Sequence, residues 1–342
     1  MNKLLIAIIL LLALSQGYQA YRGPRLTFFC EVNRTNIPWV SSPSTVRTLA
    51  EMKARVSMAI MALSDERAEF VRQLNKNKVE TTAWLLVDIK RGYWSNMNNA
   101  DAFTDFYHEF RAWTVKNNLT WATVGLDLEI DLSEIIGIGE GRLDTYLLNL
   151  RNRYYNGAQL AHAAEEKYAQ LVKTIRSHGY EVESYVFPFL QDERALGNTF
   201  FRTMFALIDL KTVVDREIPM LYGSGLPMGK GFLKSYGKLG KPVALGSTGY
   251  DPMDSPVPAP YESWQDFEHD LIYTFRYITV DIYVYSLQGT VKNGYLEKIA
   301  AMDWTKPLDP KIMAIYDSES KLVTMARYIV RSILYLWSII SK

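Results

Sequence analysis

The chain has few of the cysteine and histidine residues that usually bind metals or carry out redox chemistry. It contains one cysteine, Cys30, and four histidines, and no histidine stands in a His-x-x-His or cysteine-paired spacing. A single cysteine cannot form an internal disulfide, and zinc centres use several Cys or His ligands at short spacing. We therefore predict no metal site and no cofactor, and we interpret Cys30 as a small buried residue of a strand.

An excess of charge of either sign is also missing. The chain has 38 Lys and Arg residues against 37 Asp and Glu residues, which leaves a formal net charge of +1. Without a strong electrostatic field, the protein has no obvious means of recruiting nucleic acid. Hydrophobic residues make up 48% of the 342 positions, enough to build a sizeable core.

Long hydrophobic runs are absent except at the two ends. Lys3 followed by apolar residues 4–14 and then by small or polar residues is typical of a secretory signal peptide. The run is shorter than the roughly 20 residues that span a bilayer, and so is the apolar run at residues 333–340. We expect residues 1–20 to be removed and the mature chain to be secreted, with no stable membrane span. An uncleaved N-terminal anchor is the alternative.

Strand-like and helix-like segments alternate along residues 21–342, without a linker or an internal repeat. The predicted strands are residues 26–32, 82–88, 122–130, 183–189, 217–222, 242–247 and 281–287, with residues 312–316 as the candidate for an eighth. Residues 44–75 are predicted to be helix-rich, and residues 322–340 to form an amphipathic helix packed on the fold. The pattern favours an α/β fold with one (β/α)8-type TIM-barrel domain, irregular in its last strand, over an open doubly wound sheet.

Two carboxylates stand out at the end of the predicted strand 122–130. Because side chains alternate along a strand, Asp127 and Glu129 share one face, with roughly 7 Å between their Cα atoms. Catalytic groups of such barrels lie at the carboxyl ends of the strands. Like charges at close range raise the pKa of one partner, and a neutral carboxylic acid beside an ionised one suits glycosidic bond cleavage. The alternative is a solvated strand end, or acids paired with Arg or Lys.

A second strand end carries Met220 and Tyr222 on one face. The Tyr222 hydroxyl could contact a substrate oxygen, or its ring could simply fill the core. Asp127-x-Glu129 together with Met220-x-Tyr222 resembles the family 18 glycoside hydrolases, the chitinase-like barrels. The resemblance implies that Glu129 is the general acid, that Asp127 orients the acetamido group of the substrate, and that Tyr222 assists.

Polar and aromatic residues at other strand ends complete the predicted site. We expect carbohydrate to contact six of them: Glu31, Asp88, Trp94, Gln191, Tyr250 and Tyr285. Aromatic rings near a cleft can stack against sugar faces, although most rings of a large protein serve packing.

The chitinase-like pattern is incomplete in two respects. The earlier Asp positions of that motif are held by Ala122 and Gly125, and the motif falls on the third predicted strand, where the family has it on the fourth. The first hypothesis is therefore a secreted glycoside hydrolase-like protein acting on a polysaccharide or glycan. The second is a catalytically inactive barrel that binds carbohydrate or a protein, and the third is a structural protein with an open sheet.

Overall fold

The barrel closes on itself in the part of the chain that the computed structural model describes, residues 21–250 and 259–340. Eight parallel strands lie there in chain order, and β8 pairs with β1. They are β1 Arg25–Cys30, β2 Arg55–Ile60, β3 Glu80–Leu85, β4 Thr123–Leu128, β5 Glu181–Val186, β6 Arg216–Leu221, β7 Val243–Gly246 and β8 Asp281–Tyr285. The predicted TIM barrel is confirmed. The predicted signal peptide, residues 1–20, lies outside the described residues.

Helices connect the strands and cover the outside of the barrel. Those of the first half are α1 Ile37–Val40, α2 Pro43–Glu51, α3 Asp65–Lys76, α4 Ala100–Lys116, α5 Leu132–Gly139 and α6 Leu143–Ser177. Those of the second half are α7 Leu190–Leu196, α8 Phe200–Met204, α9 Gly229–Tyr236, α10 Trp264–Tyr277, α11 Leu287–Lys292, α12 Tyr295–Ala300 and α13 Pro310–Ile340. None of the described helices is long and apolar enough to cross a membrane.

Two sequence-based assignments are wrong. Residues 44–75 are not helical throughout, because β2 lies between α2 and α3, and all six of its residues are buried. A strand buried on both faces shows no alternation and cannot be told from a buried helix by its pattern. With β2 counted, Asp127 lies on the fourth strand, so the apparent shift relative to the chitinase-like motif disappears.

The assignment of the eighth strand is also corrected. Residues 312–316 belong to α13, which begins at Pro310, a residue suited to the first turn of a helix. Tyr316 and Val323, seven residues apart, are buried on the same side of that helix. The strand that closes the barrel is instead β8, which the sequence pattern already placed seventh.

Apolar side chains form one core between barrel and helices and a second inside the barrel. Cys30 belongs to the first, as predicted, and burial raises the pKa of its thiol to about 12. The interior also holds a polar cluster centred on Glu183, which accepts hydrogen bonds from the hydroxyls of Tyr185 (2.7 Å) and Tyr283 (2.8 Å). Arg216 lies 3.2 Å from the same carboxylate.

Candidate active site at the carboxyl end of the barrel

Strand β4 carries the predicted carboxylates to the end of the barrel where the connecting loops begin. Asp127 is 2% exposed and faces the interior, while Leu128 faces the helices. Glu129 directly follows the strand and is half-buried. The loop after β3 holds this strand end, because the Ser95 amide donates a hydrogen bond to the Asp127 carbonyl at 2.7 Å.

The pKa of Asp127 is raised well above its usual range. Burial is the largest cause, followed by the negative charges of Glu129 and Glu31 and by a hydrogen bond shared with Glu129, whereas the Trp84 indole acts in the opposite direction. Within the described residues, no Lys or Arg lies at salt-bridge distance from Asp127. The carboxyl is therefore biased toward its protonated form and does not serve as a structural ion-pair partner.

Two buried polar atoms beside each other lack hydrogen-bond partners. The Trp84 side chain lies on β3 inside the barrel and is 3% exposed, and its indole N–H acts on the Asp127 carboxyl. Nevertheless neither Trp84 Nε1 nor Asp127 Oδ1 makes a hydrogen bond with another described residue. The Trp84 indole N–H therefore faces the Asp127 carboxyl, and its effect on the pKa of Asp127 opposes that of burial.

Glu31 forms a second acidic centre at the same end of the barrel. It is 3% exposed, and its carboxylate accepts hydrogen bonds from the hydroxyls of Tyr93 at 2.6 Å and Tyr285 at 2.8 Å. Gln288 holds its backbone, with the Gln288 amide donating to the Glu31 carbonyl at 2.9 Å. The charge of Glu31 raises the pKa of Asp127, whereas the direct hydrogen bonds of the Glu31 carboxylate hold the side chains of Tyr93 and Tyr285.

Tyr222 lies near the carboxylates at this end of the barrel. Burial raises its pKa well above the usual value, and the charges of Asp127, Glu129 and Glu31 act in the same direction. Its ring packs against Tyr285 with 5.6 Å between the centroids. Gly246 on β7 makes room for it, because a Cβ at that position would approach Tyr222 Cδ1 to 2.9 Å. The structure thus brings Tyr222 together with all three carboxylates.

Gly125 on β4 lies directly against a side chain of the neighbouring strand β5. A Cβ on Gly125 would lie 2.6 Å from the hydroxyl oxygen of Tyr185, so the Tyr185 side chain fills the space next to this position. That hydroxyl donates to Glu183 and lies 2.7 Å from Ser57 Oγ. An aspartate at position 125 would clash with this arrangement.

The other residues that the sequence predicts to contact carbohydrate do not all lie beside these carboxylates. Trp94 packs edge-on against Tyr93, 5.3 Å between centroids, and borders the interior core. Asp88 is exposed and accepts a hydrogen bond from the Lys90 amide at 2.9 Å, a helix-capping contact. Gln191 is half-buried in α7, and its Oε1 has no hydrogen-bond partner among the described residues. Tyr250 is 51% exposed in the loop after β7.

Trp84 is the site residue that the sequence reasoning missed. Alternation along β3 places Thr82, Trp84 and Leu86 on the inner face, which was a usable signal once the direction of that face was known. Among the described residues, no group of three or more His, Cys, Asp or Glu side chains is arranged to hold a metal ion.

Comparison with known proteins concerns the fold. A family 18 chitinase from Pseudoalteromonas aurantia is similar over 81% of this chain and 99% of its own, with a TM-score of 0.48 and 12% identity. The PgaB (BpsB) glycoside hydrolase domain from Bordetella bronchiseptica is similar over 81% and 98%, with a TM-score of 0.46 and 8% identity. No protein-family model and no curated protein sequence matches the chain. At this distance the likeness carries no argument about activity.

Proposed function

We propose that the protein is a glycoside hydrolase acting on a polysaccharide or glycan by carboxylate acid/base catalysis. The observation that carries the proposal is the state of Asp127, a buried carboxyl with a raised pKa at the carboxyl end of a barrel strand, hydrogen-bonded to Glu129. A carboxylic acid that stays protonated beside an ionised carboxylate is the usual acid/base arrangement of glycosidases. The partly buried rings of Trp94 and Tyr222 at this end of the barrel suit the faces of sugar rings.

Asp127 and Glu129 differ in how deeply they are buried, and this difference supports a different catalytic role for each. Asp127 is almost completely buried and keeps the shared proton in the free protein, whereas Glu129 lies closer to solvent and to an incoming glycosidic oxygen. In the proposed reaction the shared proton passes from Asp127 to Glu129, and Glu129 donates it to the leaving oxygen as the bond between that oxygen and the sugar carbon breaks. Both carboxylates are then ionised, and Glu129 takes a proton from the water that attacks the same carbon, which restores the single proton of the pair. Asp127 and Tyr222 hold the reacting sugar.

The decisive experiment is a glycan screen followed by one substitution. On any glycan that the purified protein cleaves, Glu129→Gln should lower kcat/KM by at least about 100-fold, because a general acid typically contributes that much or more. Glu297→Gln, on the exposed surface of α12, is the matched control and should leave the rate unchanged. Full activity of Glu129→Gln would rule out the assigned role of Glu129.

A second candidate function is a barrel that binds carbohydrate without cleaving it. The Gly125–Tyr185 arrangement favours it, since the space of one motif aspartate is occupied by a hydroxyl that belongs to the Glu183 cluster. Titration calorimetry with the same glycans distinguishes the two functions. A binding barrel would show saturable heat without product, and Asp127→Asn would weaken that binding.

We also propose that the chain is exported, on the basis of its N-terminal sequence. Positive Lys3, the apolar residues 4–14 and the small residues before position 21 support removal of residues 1–20. N-terminal sequencing of the protein recovered from its native source should start near residue 21. An intact Met1 in the exported protein would show an uncleaved anchor instead.

A further inference from the structure

The outer face of α13 is an apolar strip that the rest of the described fold leaves uncovered. Between residues 322 and 336 the helix contains just two charged residues, Arg327 and Arg331. Six large apolar side chains on this face are 49–64% exposed: Leu322, Met325, Tyr328, Ile329, Ile333 and Leu336. Surface helices of soluble proteins normally carry charged residues on their outer side, so a strip of this kind marks an interaction surface.

Both arginines of this segment point inward. Arg327 donates to the buried carboxylate of Asp192 at 2.8 Å, and Arg331 lies 2.6 Å from the same oxygen. Tyr236 donates to the other oxygen of Asp192 at 2.7 Å. Burial raises the pKa of Asp192, but these hydrogen bonds outweigh it and hold the pKa below its usual value. The charges therefore anchor the helix and leave its outer face uncharged.

From this face we infer that α13 pairs with α13 of a second copy of the chain about a two-fold axis. Apart from the adjacent Tyr328 and Ile329, the apolar residues follow one another at steps of three and four, the spacing at which two helices interdigitate. Their exposures leave roughly 700 Å² of apolar surface, close to the roughly 800 Å² per partner of a stable interface. An uncharged face is also complementary to itself, as a two-fold interface requires.

A second copy fits this face better than a lipid surface does. Helices that lie on membranes carry Lys and Arg on the polar side, where they contact headgroups. Here Arg327 and Arg331 are held by Asp192 instead. A shallow depression next to the strip, lined by Ser320, Lys321, Thr324, Met325 and Tyr328, offers a place for a side chain of the opposing helix.

Sedimentation velocity over a concentration series tests the inference. We expect the wild-type protein to sediment as a dimer, with twice the mass of a single chain. Ile329→Glu with Ile333→Glu should weaken association by at least about 100-fold, because like charges would be brought together in the interface. Both positions are more than half exposed, so the fold should persist by circular dichroism. The matched control is Leu143→Glu with Leu147→Glu on the exposed face of α6, which should remain dimeric.

A cross-link locates the interface. Ser332 is exposed within the strip, and the only native cysteine, Cys30, is buried. Ser332→Cys should give a covalent dimer on mild oxidation, while Asn152→Cys on α6 should not. A monomer at all concentrations, a dimer that survives the two α13 glutamates, or a dimer without the Ser332→Cys cross-link would overturn the inference. So would a monomer that floats with vesicles of phosphatidylcholine and phosphatidylglycerol, because the strip would then face lipid.

Discussion

Burial and two neighbouring carboxylates act on Asp127 in the same direction, and each has a distinct structural origin. Burial follows from its inward position on β4. Glu129 directly follows the same strand, whereas Glu31 directly follows β1, on the far side of β2 and β3 in the barrel order. Alternation along one strand therefore predicts the first neighbour, whereas the second depends on closure of the barrel.

Asp127→Asn should change the pH dependence of stability. The folded protein holds a proton on Asp127 that the unfolded chain releases, so the wild type loses unfolding free energy as pH rises from the ordinary carboxyl range to the raised pKa. The asparagine side chain of the variant has no proton to release at this position. We expect the unfolding free energy of Asp127→Asn relative to wild type to increase as the pH rises above about 4, the ordinary carboxyl range, measured by urea denaturation.

The exposed Asp144→Asn, at the start of α6, is the control for this measurement. Its difference from wild type should not grow over the same range. A difference between Asp127→Asn and wild type that stays constant, or shrinks toward neutral pH, would show that Asp127 ionises in the folded protein as an ordinary surface acid does.

Helix α13 is held to the fold by one buried carboxylate, that of Asp192. Asp192, at the start of α7, connects α13 to α9, because Arg327, Arg331 and Tyr236 all bind its carboxylate. The sequence predicts an amphipathic helix there but does not say which partner its arginines find. The carboxylate is 1% exposed, so its loss would leave buried donors without an acceptor.

Asp192→Asn should lower the unfolding free energy by about 2–3 kcal/mol, the range for hydrogen bonds to charged groups. Asp317→Asn is the matched control on the same helix, since Asp317 pairs with Lys234 and its side chain is 55% exposed. An exposed pair is worth less than about 1 kcal/mol, so the control should unfold nearly as the wild type does. Equal effects of the two substitutions in urea titrations would contradict the assigned role of Asp192.

At the scale of the whole molecule, the Glu183 cluster connects strands from opposite sides of the barrel. Tyr283 donates to Glu183 across 100 residues of sequence, and Arg216 reaches the same carboxylate from β6. Burial raises the pKa of Glu183, while Arg216 and the two tyrosine hydroxyls oppose this. The interior of the barrel is thus closed by polar contacts below the candidate site.

Glu183→Ala should destabilise the protein by about 3–5 kcal/mol, because two buried tyrosine hydroxyls lose their acceptor and the half-buried Arg216 loses its nearer carboxylate. Glu181→Ala is a close control, since Glu181 lies two residues earlier on β5 and 3.6 Å from the same arginine, but its side chain is 65% exposed. It should cost less than about 1 kcal/mol. Urea unfolding followed by tryptophan fluorescence measures the stability of both variants. If Glu183→Ala were as stable as Glu181→Ala, the Glu183 cluster would not contribute to closing the barrel.

The sequence by itself determined the barrel class and the shared face of Asp127 and Glu129. Both follow from short-range periodicity, namely strands alternating with helices and side chains alternating along a strand. Local pattern failed at β2, where burial on both faces removes the alternation.

The tertiary structure alone decided which distant residues meet. Glu31 and Tyr285 were predicted separately as strand-end residues, but their hydrogen bond spans 254 positions and exists because β8 closes against β1. The same holds for Trp84 beside Asp127 and for Tyr185 in the space at Gly125. The raised pKa of Asp127 is likewise a property of the closed barrel, since desolvation depends on all the strands that surround the carboxyl and not on its neighbours in sequence.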